Sequence, residues 1–319
     1  MDRGLRLYRM PIATLTPTTP RPLGEQARGL RALLDRRHEP RPAVRSHCRS
    51  LAVTSGKGGV GKSVLTLNLA VTLAGYGLRV GVLDGHPGLG NLDLLCGRNG
   101  YWNLSHVIAG ARPLDEVILD GPAGVRLVPG AASLLELGDC AEPVQNHLLD
   151  ALARFESDCD FLLIDTGSGW SDDMQRMVRA AEDVLIVTTP EPTAIADAYA
   201  RLKTLGPSPV RAVHVAVNQA TAGQSARILE RIQHTAQAFL QQSLTLGAGI
   251  PDDAAVPQSV LARMPFVLTT PDGPASRAVQ RLSQQLLSPG TKVGRGGFFE
   301  RLVNAGGFGQ SVVGSTTRL

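Results

Sequence analysis

The feature that most constrains this chain is the stretch Ser55-Gly56-Lys57-Gly58-Gly59-Val60-Gly61-Lys62-Ser63, set between the apolar run Leu51-Ala-Val-Thr54 and a helical pattern at 63–75. A glycine-rich turn of spacing G-x-x-x-x-G-K-[ST], leaving a buried strand and opening a helix, is a phosphate loop. Its glycines let successive main-chain N–H groups face phosphate oxygens, and the helix N-terminus adds partial positive charge. Lys62 is then placed to reach the β/γ oxygens and the Ser63 hydroxyl to ligand Mg²⁺. Gly56, Lys57, Gly58, Gly59, Val60, Gly61, Lys62 and Ser63 are the expected phosphate-binding residues, and ATP or ADP with Mg²⁺ the expected cofactors.

The surrounding sequence has the texture such a loop needs. Short apolar or β-branched runs at 51–54, 80–83, 125–128, 161–164, 184–188 and 213–217 read as buried parallel strands. Helical patterns at 63–75, 144–155, 172–181, 193–205 and 225–241 separate most of them. Strands alternating with helices predict a doubly wound, mostly parallel α/β sheet with functional loops at the carboxyl ends of the strands.

Charge divides the chain into three parts. The formal net charge is +4, which on its own suggests nucleic acid as a partner. Yet residues 1–50 hold eleven arginines against four acids, net +7, and residues 291–319 hold four basic residues against one acid, net +3. The body between them has 17 basic and 23 acidic residues, net −6, so a nucleic-acid partner is not expected. The expected division is a basic arm at 1–49, an ATP-binding body at 50–290 and a tail at 291–319. With 43% hydrophobic residues the body can bury a sizeable core. No apolar run reaches the roughly 18 residues of a membrane span. Cys48, Cys96, Cys140 and Cys159 form no C-x-x-C, against a zinc module or disulfide framework, and a cytoplasmic protein is expected.

Lys57 goes beyond a generic phosphate loop, and lysine is scarce: the chain has four, Lys57, Lys62, Lys203 and Lys292. The string K-G-G-x-G-K-S resembles the deviant Walker A loop of the MinD/ParA family of ATPases. The resemblance implies a SIMIBI-class P-loop NTPase fold and an ATP-dependent homodimer with two nucleotides between its subunits, Lys57 reaching across to the opposite one. Asp84, ending Val82-Leu-Asp84, would hold a magnesium-bound water, and Asp165, ending Phe161-Leu-Leu-Ile-Asp165, resembles the Walker B acid opposite Ser63. Either acid alone also reads as a strand-capping carboxylate. Asn218 matches an adenine-reading asparagine, and Pro251, within Gly249-Ile-Pro-Asp252, belongs to a loop similar to the one that closes over the base.

Longer strings narrow the resemblance. Asn91-Leu-Asp-Leu-Leu-Cys-Gly97, Ile164-Asp-Thr-Gly-Ser-Gly169 and Thr189-Pro-Glu-Pro-Thr-Ala-Ile-Ala-Asp-Ala-Tyr199 are similar to the bacterial flagellar-number regulators of the FlhG, FleN or YlxH type. So is Glu25-Gln-Ala-Arg-Gly-Leu-Arg31, in a proline-bounded amphipathic helix at about 23–37, with Glu25 where the activator motif has aspartate. That helix reads either as folded back on the body or as a peptide for a partner's groove. The resemblance implies the second, with Gln26, Leu30 and Arg31 stimulating an FlhF-type, signal-recognition GTPase. It also implies contacts with flagellar switch (C-ring) proteins and a flagellar transcription activator, and reversible attachment to the cytoplasmic membrane near the cell pole. In the tail, Phe298, Phe299, Leu302 and Val303 form one helical face beside Lys292, Arg295 and Arg301, as an interfacial helix uses on anionic lipid. Packing of that face on the body is the other reading.

One position departs from the family. After Asp84 a second aspartate usually follows two residues on, where it orients the attacking water, and here the run is Asp84-Gly-His86. Lys57, Lys62, Asp84 and His86 are the expected catalytic set, and imidazole in place of carboxylate predicts nucleotide binding with slow hydrolysis. Two other assignments share the loop: a ParA-like DNA-partitioning ATPase, kept open by the basic arm, and an iron–sulfur carrier, which the cysteine placement disfavours.

Overall fold

The computed structural model describes residues 47–306 apart from 87–89, 170, 207–209, 211, 242 and 288–295. The chain divides into two units, Met1–Val44 and Arg45–Leu319. The expected activator helix with Gln26, Leu30 and Arg31 lies outside the described residues.

Eight strands form one sheet: β1 Arg49–Ser55, β2 Val80–Gly85, β3 Leu119–Asp120, β4 Arg126–Val128, β5 Phe161–Ser168, β6 Asp183–Thr188, β7 Ala212–Val217 and β8 Leu246–Gly249. Their order is β3-β4-β2-β5-β1-β6-β7-β8, parallel throughout except at the β3–β4 edge. The six expected strands are all present. β5, β2 and β4 lie on one side of β1 and β6, β7 and β8 on the other, and the chain changes sides between β5 and β6, so β1 lies at the topological switch point where the flanking loops part and leave a crevice.

Seven α-helices of nine residues or more cover the sheet among the described residues: α1 Lys62–Gly75, α2 Glu142–Ser157, α3 Asp172–Ala180, α4 Pro192–Leu205, α5 Ala222–Leu240, α6 Pro274–Leu287 and α7 Phe298–Gly306. Alternate strand residues face opposite layers, as the two-residue period requires. Leu51, Val53, Leu163, Leu185 and Val187 pack into a core with α1 and α6. Ala52, Leu162, Ile164, Val184 and Ile186 pack into a second core with α2, α3, α4 and α5.

The tail expectation is corrected here. Phe298, Phe299 and Leu302 are 0%, 2% and 3% exposed and belong to the second core, beside Phe155 of α2 and Met177 and Val178 of α3. Val303 is half-buried. The apolar face expected to meet lipid is spent on the protein's own interior, and its anchors are specific. The Glu156 carboxylate accepts from Phe298 N at 2.5 Å and Phe299 N at 3.3 Å, satisfying N–H groups that the start of a helix otherwise leaves open. Arg301 Nε donates to Ala180 O at 2.7 Å and its Nη2 to Ser50 Oγ at 3.0 Å. The body therefore extends past residue 290 to include α7.

Candidate nucleotide site

β1 delivers the chain into the phosphate loop, and α1 leaves it with Gly61 as N-cap at φ +84. A side chain at Gly61 would be strained in that conformation, and its Cβ would come within 2.4 Å of Asn218 Nδ2. Gly56 is required by close approach: a Cβ there would lie 2.4 Å from Asp197 Cβ on α4. Ser55 Oγ donates to Lys57 O at 2.8 Å, closing the start of the turn.

Two cavities meet at this loop. A polar one of about 270 Å³ is lined by Lys57, Gly58, Gly59, Lys62, Ser63, His86 and Ser168. An apolar one of about 450 Å³ is lined by Asn218, Gln219, Ile250, Pro251, Val256 and Phe266. Gly61 and Val64 line both. A molecule with anionic groups at one end and a flat apolar ring at the other matches this pair, the glycine-rich turn lying between them.

The charged groups are brought together at the strand ends. Asp84 and Asp165 are register partners across β2 and β5. Lys62 Nζ donates to Asp165 Oδ1 at 2.6 Å, both side chains buried, and Thr66 Oγ1 reaches the same oxygen at 3.4 Å. Asp84 accepts from Leu92 N at 3.2 Å and His86 N at 3.3 Å. Burial raises its pKa above the ordinary carboxylate value, and the nearby charge of Asp165 raises it further, against the pull of those two N–H donors and of Lys62. Two adjoining buried carboxylates beside a loop hydroxyl fit a magnesium ion that keeps waters and takes its other ligands from phosphate. Ser63, Asp84 and Asp165 are the residues that would hold it. Among the described residues no cluster of three or more His, Cys, Asp or Glu builds a metal cage by itself.

The expected residues fall as follows. His86 lines the polar cavity with the phosphate loop. Asn218 donates from Nδ2 to Val60 O at 2.9 Å, fixing the side chain between the loop and the apolar cavity. Pro251 lines that cavity, where the chain leaves β8. Lys57 forms an ion pair with Glu191 and lies 3.4 Å from Thr193 Oγ1, both at the start of α4. Glu191 and Thr193 sit inside the motif quoted above, but their contact with Lys57 spans more than 130 residues and leaves no local signal. Gln219 was also missed: it lines the apolar cavity in a left-handed conformation, φ +56, uncommon for a residue with a side chain. The cysteines do not join the site. None of the four lines either cavity, and Cys48, Cys96 and Cys159 are buried, where burial pushes the thiols of Cys96 and Cys159 up to about 12.

Comparison with known proteins agrees with this geometry. Residues 51–266 match the family described as CobQ/CobB/MinD/ParA nucleotide binding domain. Over 268 residues, 82% of this chain and 96% of the relative, the chain is 35% identical to the antiactivator FleN of Pseudomonas aeruginosa. It is 38% identical over 167 residues to the flagellum site-determining protein YlxH of Helicobacter pylori, covering 50% of this chain and 54% of that protein, about half of each. Among solved structures, the septum site-determining protein MinD complexed with Mg-ADP from Pyrococcus horikoshii superposes with a TM-score of 0.58 at 25% identity, covering 76% of this chain and 96% of that one.

Proposed function

Because the chain belongs to the CobQ/CobB/MinD/ParA family, and within it to the FlhG-type MinD/ParA ATPases that include FleN and YlxH, we propose that it is a nucleotide-switched ATPase regulating flagellar number and placement. The observation that carries the nucleotide assignment is the pair of cavities joined at Gly61 and Val64, polar beside Lys62 and apolar beside Asn218. The flagellar assignment rests on the two relatives, an antiactivator and a flagellum site-determining protein.

Each residue has a task in this proposal. The loop N–H groups and Lys62 bind phosphate, which requires Lys62 to turn from Asp165 toward the nucleotide. A bound Mg²⁺ would supply positive charge against the charge developing on the phosphates. Ser63, Asp84 and Asp165 orient its ligands, and Asn218 and Pro251 hold the base. Lys57 exchanges Glu191 for the nucleotide of a second copy, so that ATP favours a homodimer. His86, at the rim of the polar cavity, holds the attacking water less effectively than a carboxylate, so turnover is slow and the ATP state long-lived. The arm containing Gln26, Leu30 and Arg31 activates an FlhF-type GTPase. Attachment to the membrane through Phe298, Phe299 and Leu302 is not part of the proposal, since those side chains are core.

The test measures Mg-ATP binding and turnover in one preparation. Binding that Lys62→Ala abolishes, with a turnover that His86→Asp raises at least about tenfold, is the expected result. Equal turnover for wild type and His86→Asp would remove the explanation of slow hydrolysis, and no binding by wild type would remove the proposal.

A further inference from the structure

Beside the nucleotide site lies a buried cation that the proposed function leaves unused. Arg201, in the third turn of α4, is 1% exposed and is the largest fully buried side chain among the described residues. Its Nη2 donates to Ser55 O at 3.2 Å and also to Gly169 O. Both acceptors are main-chain carbonyls at the edges of the phosphate cavity. Ser55 ends β1 and begins the phosphate loop, while Gly169 follows Ser168, whose side chain faces Gly58 and lines that cavity.

The sheet is irregular at the same place. β1 and β5 run in register from Arg49↔Phe161 to Val53↔Asp165 and then slip, so that Ser55 pairs with Ser168. One extra residue on β5 is thus accommodated directly after Asp165. Bulges are common next to functional sites, where they re-aim a side chain or end the pairing. Thr166 Oγ1 donates to Val53 O at 3.0 Å on the near side of the slip, and Arg201 joins the two strand ends beyond it. Burial lowers the Arg201 pKa from its usual value, so the guanidinium is held there against a desolvation cost.

We propose that Arg201 is a positioning residue for the nucleotide site: its planar guanidinium ties Ser55 O to Gly169 O and so sets the separation between the phosphate loop and the Ser168 wall of the cavity. α4 carries Glu191 and Thr193, which hold Lys57, at its N-terminal end, and Asp197 against Gly56 one turn before Arg201. The helix therefore touches the phosphate loop at three points along its length, and Arg201 also connects it to the segment after Asp165. A displacement of the Ser168 wall on phosphate binding is passed to α4 through this one side chain. Both bonds leave one nitrogen, so a lysine ammonium keeps the donors but is shorter in reach and is not fixed in a plane, which makes lysine an incomplete replacement.

The inference rests on the nucleotide reading, and the experiment separates the two. Wild-type protein is first titrated with Mg-ADP; no binding would remove the nucleotide reading itself. Arg201→Met and Arg201→Lys are then compared with wild type for Mg-ADP affinity and thermal midpoint. Arg201→Met removes a buried charge but also leaves Ser55 O and Gly169 O without that donor, so its midpoint falls whether or not the residue positions the site, and a residue with only a structural task predicts unchanged affinity well below the midpoint. A positioning residue predicts weaker binding. Measured well below its own midpoint, Arg201→Met binds Mg-ADP at least about tenfold more weakly than wild type, and Arg201→Lys falls between the two. Wild-type affinity in Arg201→Met overturns the proposal. If Arg201→Met does not fold, Arg201→Lys decides: weaker binding at an unchanged midpoint supports the proposal, and unchanged binding or a loss that only follows the midpoint overturns it.

Discussion

At the scale of single residues, the site is organised around buried charges that must be matched. Lys62 and Asp165 neutralise each other in a buried pair at 2.6 Å. Removing one partner of such a pair leaves the other charge unmatched, at a cost of about 3–5 kcal/mol. Lys62→Ala is therefore expected to lower stability in denaturant unfolding by that amount and to remove nucleotide binding, while Lys62→Ala/Asp165→Asn recovers much of the stability and none of the binding. A double variant no more stable than the single one would contradict the pairing. These residues were legible in the sequence because the phosphate-loop spacing and the acid ending an apolar strand are local patterns. Glu191, Thr193 and Arg201 were not: their partners, Lys57 and the carbonyls of Ser55 and Gly169, lie far away in sequence, and only the folded sheet brings them together.

At the scale of elements, the six expected strands were readable because their residues are buried on both faces and so form continuous apolar runs. β8 was missed for the opposite reason: Leu246–Gly249 is an edge strand of small residues, two of its four being glycine. α6 hides in the same way, since Ala275, Ala278, Val279, Leu282 and Leu286 make a helical stripe in which two members are only alanines. α7 was readable as an amphipathic helix, but its destination was not, because an apolar stripe serves lipid and a protein core equally well. The Glu156 cap and the depth of Phe298 decide it for the core. Phe298→Ala is expected to cost about 3–5 kcal/mol in denaturant unfolding. Glu156→Ala, which leaves Phe298 N and Phe299 N without their acceptor, is expected to cost about 1–3 kcal/mol.

The same cap carries a pH dependence. Burial raises the Glu156 pKa, outweighing Phe298 N, Phe299 N, Arg301 and His47, which lower it, and its charge also faces Cys48. A carboxyl whose folded pKa lies above its unfolded value contributes stability that is complete below the unfolded value, about 4.3, and is lost as pH rises through the folded one. Glu156→Gln keeps an acceptor without the charge. The wild-type minus Glu156→Gln stability difference should therefore fall as pH rises from about 4 toward neutrality. A difference that is flat or rises over that interval would contradict the assignment.

At the scale of the whole molecule, the charge segments and the fold agree on a division of labour. The acidic body builds the nucleotide site at the switch point of the sheet, and a segment with ten arginines precedes β1 in the chain. The basic tail supplies α7 to the core, so its positive charge includes Arg301, which is tied to Ala180 O and Ser50 Oγ. Net charge thus pointed to nucleic acid only until it was assigned to segments. The central claim is that ATP, through Lys57 and the phosphate loop, switches the chain from one copy to two. The direct measurement is solution mass of the full chain with Mg-ATP and with Mg-ADP. Twice the mass of one chain with Mg-ATP, a single copy with Mg-ADP, and a single copy in both for Lys57→Ala are the results the account predicts; a single copy of wild type under saturating Mg-ATP would contradict it.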